Sequence, residues 1–355
     1  MSTDEGISLT AISPSAKSDT DVPKGFASYR PYAKTKLLVD RIMGVYELLR
    51  DQDALPAGPR TVGYRLSEIY RGDYTKADFS NIERVIKRLN QSGMLPFDYV
   101  ADASSVTYEA DGWDGPVEFL RDAHTLFGRD RREGQPVVPE VACEARGTLG
   151  LILRLGQDRG VTVYSGGGSC GPGFARRVAS RALIRAVEHS QDTLILGLGD
   201  FDQAGIKNIM RPHIEHVSAF LYGTAGNPRV LAHQGKTMAD TGCDVRFRHL
   251  GLTPEMALEH AETAELSAAD CDGIAAYAAS GTGLWDRDLS LLDGVAKFEL
   301  EALDPAGLRD LLVAVLDGDV LDTDELDRIE AEEETQRNGL EGRLGSLADE
   351  LEEDQ

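Results

Sequence analysis

Acidic residues follow two apolar segments of this sequence at positions where they could hold a metal ion. The mainly apolar run at 193–199 is followed by Asp200 and Asp202, and the apolar segment at 137–142 is followed by Glu144. Residues two apart on an extended chain point to the same side, so the carboxylates of Asp200 and Asp202 can converge. Mg²⁺ prefers such oxygen ligands and completes its coordination with water and phosphate oxygens. The pattern predicts a magnesium site suited to phosphoryl transfer, although a pair of capping aspartates would explain Asp200 and Asp202 equally well.

The elements that must position these acids are predicted from the alternation of apolar and amphipathic segments after residue 136. We expect strands at 137–142, 161–164, 193–199, 216–222 and 243–250, and helices at 148–157, around 174–187, and at 204–213, 254–264 and 305–316. This alternation is typical of an α/β fold with a largely parallel sheet that helices cover on both faces. Ligands of such sheets bind beyond the carboxyl ends of the strands, where all three acids fall. If the two strands are neighbours, Glu144 lies close to the aspartate pair.

A helical region is predicted ahead of the α/β segment. Leu38, Ile42, Val45 and Leu49 recur at helical spacing, a second helix is expected at 61–70, and a third ends at Gly93. Residues 94–100 are interpreted as a short extended wing. Three helices followed by a wing are typical of a winged helix-turn-helix domain.

The third of these helices has a basic face. Arg84, Lys87 and Arg88 lie opposite the apolar stripe formed by Ile82, Val85, Ile86 and Leu89. In a winged helix-turn-helix domain this helix would contact DNA. A solvated face on an ordinary helical domain explains the same spacing, and the residues alone leave both interpretations open.

The charge of the chain is strongly negative but unevenly distributed. There are 60 Asp and Glu against 37 Lys and Arg, a net charge of −23. Residues 322–355 carry 14 acids and 3 arginines, whereas residues 23–100 carry 13 basic and 9 acidic residues. A basic module therefore lies within an acidic chain, and a surface that attracts DNA everywhere is excluded. Adaptation to high salt would also explain the overall charge.

Composition and spacing predict five segments. They are a disordered N-terminus (1–22), a winged-helix DNA-binding domain (23–103), a connecting segment (104–136), the α/β domain with its C-terminal helices (137–317) and an acidic tail (318–355). The tail is expected to be a solubilising segment, with an amphipathic helix or a partner-binding segment as the alternative. No run of 18 apolar residues and no N-terminal signal core is present, which predicts a protein without a membrane segment. The four cysteines are widely spaced, as expected of cytoplasmic thiols.

A family resemblance emerges from the acids and their neighbours. Glu144 and the later sequence Asp200-Phe-Asp202-Gln-Ala-Gly resemble the Toprim domain. The D-x-D-x-x-G form is similar to that of the A subunit of type IIB topoisomerases (topoisomerase VI) and its meiotic double-strand-break relatives. The segment 140–144 is similar to the first Toprim strand, the glycine-rich turn at 164–168 sits after the second strand, and the resemblance spans about residues 30–317. It implies a winged-helix domain followed by a Rossmann-like Toprim domain.

The same resemblance implies a tyrosine nucleophile on the winged-helix domain, preceded by an arginine four residues earlier. Arg60 and Tyr64 match this pattern, with Tyr70 and Tyr74 as competing candidates. A phenol has a pKa of about 10 and needs a nearby cation to become a nucleophile at neutral pH. The chain departs from the family at Gly63, where an aromatic residue or Ile is usual, and at Ala145, where Lys is usual. It also has Gln-Ala before the glycine that follows Asp202.

The activity implied is Mg²⁺-dependent DNA cleavage by transesterification in a homodimer that acts on double-stranded DNA, in the cytoplasm and associated with the nucleoid. Glu144, Asp200 and Asp202 would bind the metal, Tyr64 would become linked to DNA, and Glu144 would move the proton of the leaving 3′-oxygen. The chain has no Gly-x-x-x-x-Gly-Lys-Ser/Thr loop, so ATP-driven strand passage would need a separate ATPase subunit. Two alternatives remain: a Toprim nuclease that uses water and leaves Tyr64 structural, and a non-catalytic DNA-binding component of a complex.

Overall fold

The computed structural model describes residues 29–101, 112–165, 171–201, 211–224, 230–252, 256 and 299–353. These residues form two compact units. The first contains the described residues up to 101 together with 301–307, and the second contains the remainder.

Three helices make up most of the first unit. They are α1 (Ala33–Asp51), α2 (Pro59–Ile69) and α3 (Phe79–Gln91). The helical spacing in α1 and α3 predicts their packing correctly, because Leu38, Ile42, Val45 and Leu49 of α1 and the apolar stripe of α3 are all buried in one core. Helix packing of this kind buries several large aliphatic side chains, each contributing roughly 1.5–3 kcal/mol to folding.

The extended wing expected at 94–100 is wrong. Residues 97–99 form a 3₁₀ turn instead, and Val100 makes an isolated parallel bridge with Ala57. Pro96 has no N–H to donate to a strand ladder, and the side-chain amide of Asn90 donates to the carbonyl oxygens of Leu95 and Pro96. The three helices are therefore present, whereas the described residues of this unit contain no hairpin that would make a wing.

The second unit is built on a four-stranded, all-parallel sheet with the order β2-β1-β3-β4. The strands are β1 (Val137–Cys143), β2 (Thr162–Ser165), β3 (Asp192–Leu198) and β4 (Val245–Gly251). The helices α4 (Pro116–Asp122), α5 (Leu149–Asp158), α6 (Pro172–His189) and α7 (Arg211–Tyr222) precede or connect them. Two helices follow: α8 (Pro305–Val315), which belongs to this unit from residue 308 onward, and α9 (Thr323–Glu353). The predicted α/β fold with a parallel, Rossmann-like sheet is confirmed. No helix among the described residues is long and apolar enough to span a membrane.

The strand expected at 216–222 is wrong, because these residues lie in α7. Val217 and Leu221 are four residues apart and both pack into the core between α6 and the sheet. A short apolar run fits a strand and a buried helical face equally well, so its spacing does not distinguish them. The helix expected at 254–264 and most of the one at 204–213 lie outside the described residues.

A buried ion-pair cluster fastens α6 to the sheet. Glu140 of β1 is fully buried, and its carboxylate accepts hydrogen bonds from Arg181 and Arg185 of α6. Arg185 also donates to Oγ1 of Thr193 on β3, at 3.3 Å. Glu140 thus has a structural role, because its ion pairs hold β1 against α6 four residues before Glu144.

The C-terminal acidic segment forms one long helix that packs against the region before the sheet. Glu333 of α9 accepts a hydrogen bond from the backbone N–H of Arg129 at 2.7 Å and pairs with Arg131 and Arg337. The side chain of Gln135 exchanges hydrogen bonds with the backbone of Asp322 at 2.9 and 2.8 Å. Part of the negative charge of this segment is therefore paired within the molecule.

Candidate functional site

Glu144 and Asp200 lie together at the carboxyl edge of the sheet. Strands β1 and β3 are neighbours, and Cys143 is opposite Leu198 in their register. The N–H of Glu144 donates to the carbonyl oxygen of Leu198 at 2.8 Å, and the N–H of Asp200 donates to Oε2 of Glu144 at 3.0 Å. Both acidic residues are half-buried. The parallel pairing of the two strands thus brings the Glu144 carboxylate to the backbone of Asp200.

The backbone around Asp200 is held on two further sides. Gly199 donates its N–H to the carbonyl oxygen of Gly251 at 2.7 Å and accepts from the N–H of Leu252 at 2.8 Å. Oδ1 of Asp200 accepts the backbone N–H of Leu300 at 2.8 Å. Sequence reasoning missed Leu300, because a main-chain donor a hundred residues away leaves no signal in residue types.

The donor set at this edge fits Mg²⁺. Glu144 and Asp200 provide carboxylate oxygens, and Mg²⁺ commonly takes one or two carboxylates and leaves its other positions to water and phosphate. Asp202, the third acid expected here, lies outside the described residues. Within the part of the chain that is described, no group of three or more His, Cys, Asp or Glu is placed to hold a metal.

Cys143, directly before Glu144, is a buried free thiol. Its S–H donates to the carbonyl oxygen of Ala145 at 3.2 Å, and its sulfur lies 3.4 Å from Oγ1 of Thr148. Burial raises the pKa of this thiol to about 12, and the nearby carboxylates add to the effect. Cys143 is therefore a neutral, buried packing residue at physiological pH.

Arg60 and Tyr64 lie one turn apart on α2, but their surroundings differ. The Tyr64 ring meets the ring of Phe79 edge-on, with 4.8 Å between centroids, and its hydroxyl oxygen is buried. The ammonium group of Lys76 is 5.5 Å from the Tyr64 ring centroid. The Arg60 side chain is 58% exposed, and its Nε lies 3.4 Å from Oε2 of Glu301. Arg60 is thus accessible, whereas the Tyr64 hydroxyl is covered.

Gly63, which precedes Tyr64 on α2, has a packing role. A Cβ at position 63 would lie 3.0 Å from Cδ1 and Cε1 of Phe79. Glycine therefore lets α3 approach α2 closely, and the same Phe79 ring packs on Tyr64. Phe79 is a residue that sequence reasoning missed, although its position at the first turn of α3 could have suggested a contact with α2.

The competing tyrosines contact a cation. The guanidinium group of Arg41 donates to the Tyr74 hydroxyl at 3.1 Å and lies 4.0 Å from the centroid of the Tyr70 ring. Arg41 also pairs with Asp73 at 2.8 Å. The hydrogen bond that Arg41 donates to Tyr74, with a smaller contribution from the one that it donates to Asp73, raises the pKa of Arg41. A cation at a phenol hydroxyl is a feature that a tyrosine nucleophile needs, and the structure provides it at Tyr74.

The three basic residues of α3 share one exposed face. Nη2 of Arg84 donates to Oδ1 of Asn81 at 2.6 Å, and the Arg88 guanidinium lies 5.5 Å from the Tyr29 ring centroid. Within the described residues, Arg84, Lys87 and Arg88 form no ion pair with an acid. Their charges are available to an anionic partner.

Comparison with known proteins finds no match: no family model, no curated protein and no solved structure is similar to this chain. The functional interpretation therefore depends on the two groups of residues that the structure assembles. One is the Glu144–Asp200 pair at the sheet edge, and the other is the set of cations on α2 and α3.

Proposed function

We propose that this protein is a Mg²⁺-dependent DNA-cleaving enzyme of the type IIB topoisomerase A-subunit kind. The observation that carries the proposal is the hydrogen bond between the N–H of Asp200 and Oε2 of Glu144 at the carboxyl edge of a parallel sheet. Phosphoryl-transfer sites need acids that can hold Mg²⁺ beside a phosphate, and ligands of parallel sheets bind at this edge. The resemblance of these acids and their spacing to the Toprim domain adds the substrate class.

The metal at this site would stabilise negative charge on the phosphate under attack. Glu144 and Asp200 would hold it, with Asp202, two residues further along the sequence, as a further ligand. Glu144 would in addition donate a proton to the leaving 3′-oxygen. The same carboxyl group would thus serve as metal ligand and as general acid.

The first unit would supply the DNA contacts. Arg84, Lys87 and Arg88 are exposed on one face of α3, a suitable arrangement for phosphate contacts along a duplex. The finer assignment of a DNA-binding helix-turn-helix, without the wing, belongs to this proposal, and its support is the three-helix arrangement with a basic third helix. Cleavage of both strands takes two nucleophiles, so the proposal includes a homodimer, with any ATPase in a separate subunit. Association with the nucleoid follows from the substrate.

Two nucleophiles are compatible with this metal site. Tyr64 would give a covalent tyrosyl–DNA link, and its helical spacing from Arg60 supports this role. Water would give simple hydrolysis, and the buried Tyr64 hydroxyl favours this second candidate, because α2 or Phe79 must move before DNA can reach the oxygen. A non-catalytic DNA-binding role remains the outcome if the acids prove dispensable.

A plasmid assay tests the proposal. Wild-type protein is incubated with supercoiled plasmid in Mg²⁺ or in EDTA, stopped with detergent and analysed with and without protease. We expect nicked or linear DNA in Mg²⁺ only, and loss of the product with Asp200→Asn. Protein-bound ends would support transesterification, and protein-free ends would support hydrolysis. Intact plasmid under every condition, despite salt-dependent DNA binding, would reject cleavage in favour of the binding role.

A further inference from the structure

An acidic segment from late in the sequence packs on α2 of the first unit. Residues 301–307 belong to this unit. Oε2 of Glu301 lies 3.4 Å from Nε of Arg60, and Oδ1 of Asp304 lies 3.5 Å from Nη1 of Arg65. The Glu301 side chain is only 16% exposed, whereas the Arg60 side chain is 58% exposed. A largely covered carboxylate is thus placed against an accessible guanidinium group.

Arg60 also borders an open cavity of about 260 Å³ where α2 and α3 begin. The cavity is lined by Pro59, Arg60, Lys76, Phe79, Ser80 and Glu83. Two cations and a hydroxyl group are suitable partners for a phosphodiester, and arginine binds carboxylates and phosphates through the same donors. Glu83 is the one acid among the cavity residues, so the lining carries more positive than negative charge.

We propose that Glu301 is an internal competitor for DNA phosphate at Arg60. The inference rests on the proposed function, since it assumes that DNA is the ligand of this surface. The carboxylate of Glu301 neutralises part of the positive charge of Arg60 that a phosphate would otherwise neutralise. It also repels a phosphate that enters the cavity. DNA binding at Arg60 must displace Glu301 or tolerate a neighbouring anion. The free protein is therefore held in a state with reduced affinity for DNA.

The contact is weak enough to be displaced. Arg60 is well exposed and the pair is screened by solvent, so removal of the competing charge should change affinity by about two- to fivefold. The effect should shrink as salt is added, because screening weakens both the ion pair and the repulsion. A weak internal anion of this kind adjusts affinity and does not block binding.

The test is the affinity of the full-length protein for a short fluorescent duplex, measured in EDTA so that the DNA stays intact. Glu301→Gln should bind about two- to fivefold more tightly at low salt. Asp304→Asn is the matched control, because it removes the same charge from the same segment. Its partner Arg65 is largely buried and does not line the cavity, so we expect little change. In the Arg60→Ala background, the gain from Glu301→Gln should be smaller than in the wild type, because only the repulsion remains.

The possible results separate this inference from the proposed function. If Arg60→Ala weakens binding but Glu301→Gln binds like the wild type, the competition is wrong and the DNA-binding proposal stands. An equal gain in Asp304→Asn would show a general charge effect and would also reject the competition. If neither the wild type nor any variant binds DNA, the proposed function fails, and the inference fails with it. Equal melting temperatures for the variants would establish that they are folded.

Discussion

The backbone N–H of Asp200 donates a hydrogen bond to Oε2 of Glu144 at 3.0 Å, joining the carboxyl ends of β3 and β1. The distance is set by strand pairing, since Cys143 and Leu198 are opposite each other in the preceding register position. The two acids are therefore placed by the sheet itself, which is the most rigid part of an α/β domain. The contact between the Glu144 carboxylate and the Asp200 backbone is the structural basis of the proposed metal site.

The nucleophile can be identified by comparing two tyrosines. If transesterification occurs, Tyr64→Phe should abolish protein-linked DNA ends, because the phenylalanine ring keeps the contact with Phe79 while the hydroxyl is lost. Tyr74→Phe is the matched variant, since it removes the hydroxyl that accepts from Arg41. Detergent-stopped reactions analysed with and without protease measure the linked product. Loss of the product in Tyr74→Phe with retention in Tyr64→Phe would contradict the assignment to Tyr64.

The basic face of α3 should contribute to DNA binding without sequence preference. Lys87→Ala should weaken binding to all duplexes alike and reduce the slope of log K against log salt by about 1, as expected for one lost phosphate contact. Arg50→Ala is the control, because Arg50 is already paired with Asp51 at 2.8 Å in the same unit. Fluorescence anisotropy at several salt concentrations measures both quantities. An unchanged slope in Lys87→Ala would show that α3 does not contact DNA.

Long periodic elements of this fold could be predicted from the sequence. The apolar stripe on α3 and the apolar run of β3 each extend over several residues with a clear period. Such long patterns identify the first segment as a helix and the second as a strand. Residues 216–222 are a short apolar run, and only the packing of Val217 and Leu221 shows that they are helical. The prediction of a wing was wrong for a local reason. Pro96 and the hydrogen bond that the Asn90 side chain donates to its carbonyl oxygen favour a turn.

The candidate site was predictable in part for the same kind of reason. Glu144 and Asp200 are acidic residues that directly follow apolar segments with the pattern of strands. Their position at one edge of the sheet could therefore be inferred from the sequence. The Leu300 N–H that donates to Asp200 and the Arg41 that donates to Tyr74 depend on tertiary packing. The spacing of residues in the sequence gives no indication of either contact, because the two partners are far apart along the chain.

The buried ion-pair cluster should be essential for stability. Glu140→Ala would leave Arg185 buried beside the sheet without its carboxylate, and breaking a buried pair in this way costs roughly 3–5 kcal/mol. Asp310→Ala is the control, since that side chain is exposed and should change the free energy of unfolding by less than about 0.5 kcal/mol. Denaturant unfolding measures both. Similar unfolding midpoints for the two variants would contradict the structural role of Glu140.

The packing of α9 should be sensitive to acid. Hydrogen bonds from Arg129 and Arg328 lower the pKa of Glu332, and those from Arg328 lower the pKa of Glu325. Burial alone would raise the pKa of Glu333, but the Arg129 N–H and nearby guanidinium groups outweigh it, so this pKa is also lowered.

Groups with a lowered folded-state pKa stabilise the fold above their unfolded value, about 4.3 for Glu, and this contribution is lost as the pH falls through the folded-state value. Limited proteolysis of α9 should therefore be slow at pH 7 and accelerate below about pH 4 relative to the sheet. An acid-stable protease, used at each pH with a short unfolded peptide as the control substrate, corrects for changes in protease activity. Equal protection of α9 at pH 7 and pH 3 would contradict the role of these pairs.

The binding of Mg²⁺ to the acidic pair tests the central claim most directly. Titration calorimetry of the wild type is compared with Glu144→Gln and Asp200→Asn, whose amide oxygens can still accept the backbone hydrogen bonds at this edge. Asp310→Asn controls for the loss of one exposed negative charge. We predict that each site variant weakens Mg²⁺ binding by at least about tenfold, since even outer-sphere partners contribute 10–100-fold, and that Asp310→Asn binds like the wild type. Equal Mg²⁺ affinity in the wild type and both site variants would contradict a metal site at Glu144 and Asp200.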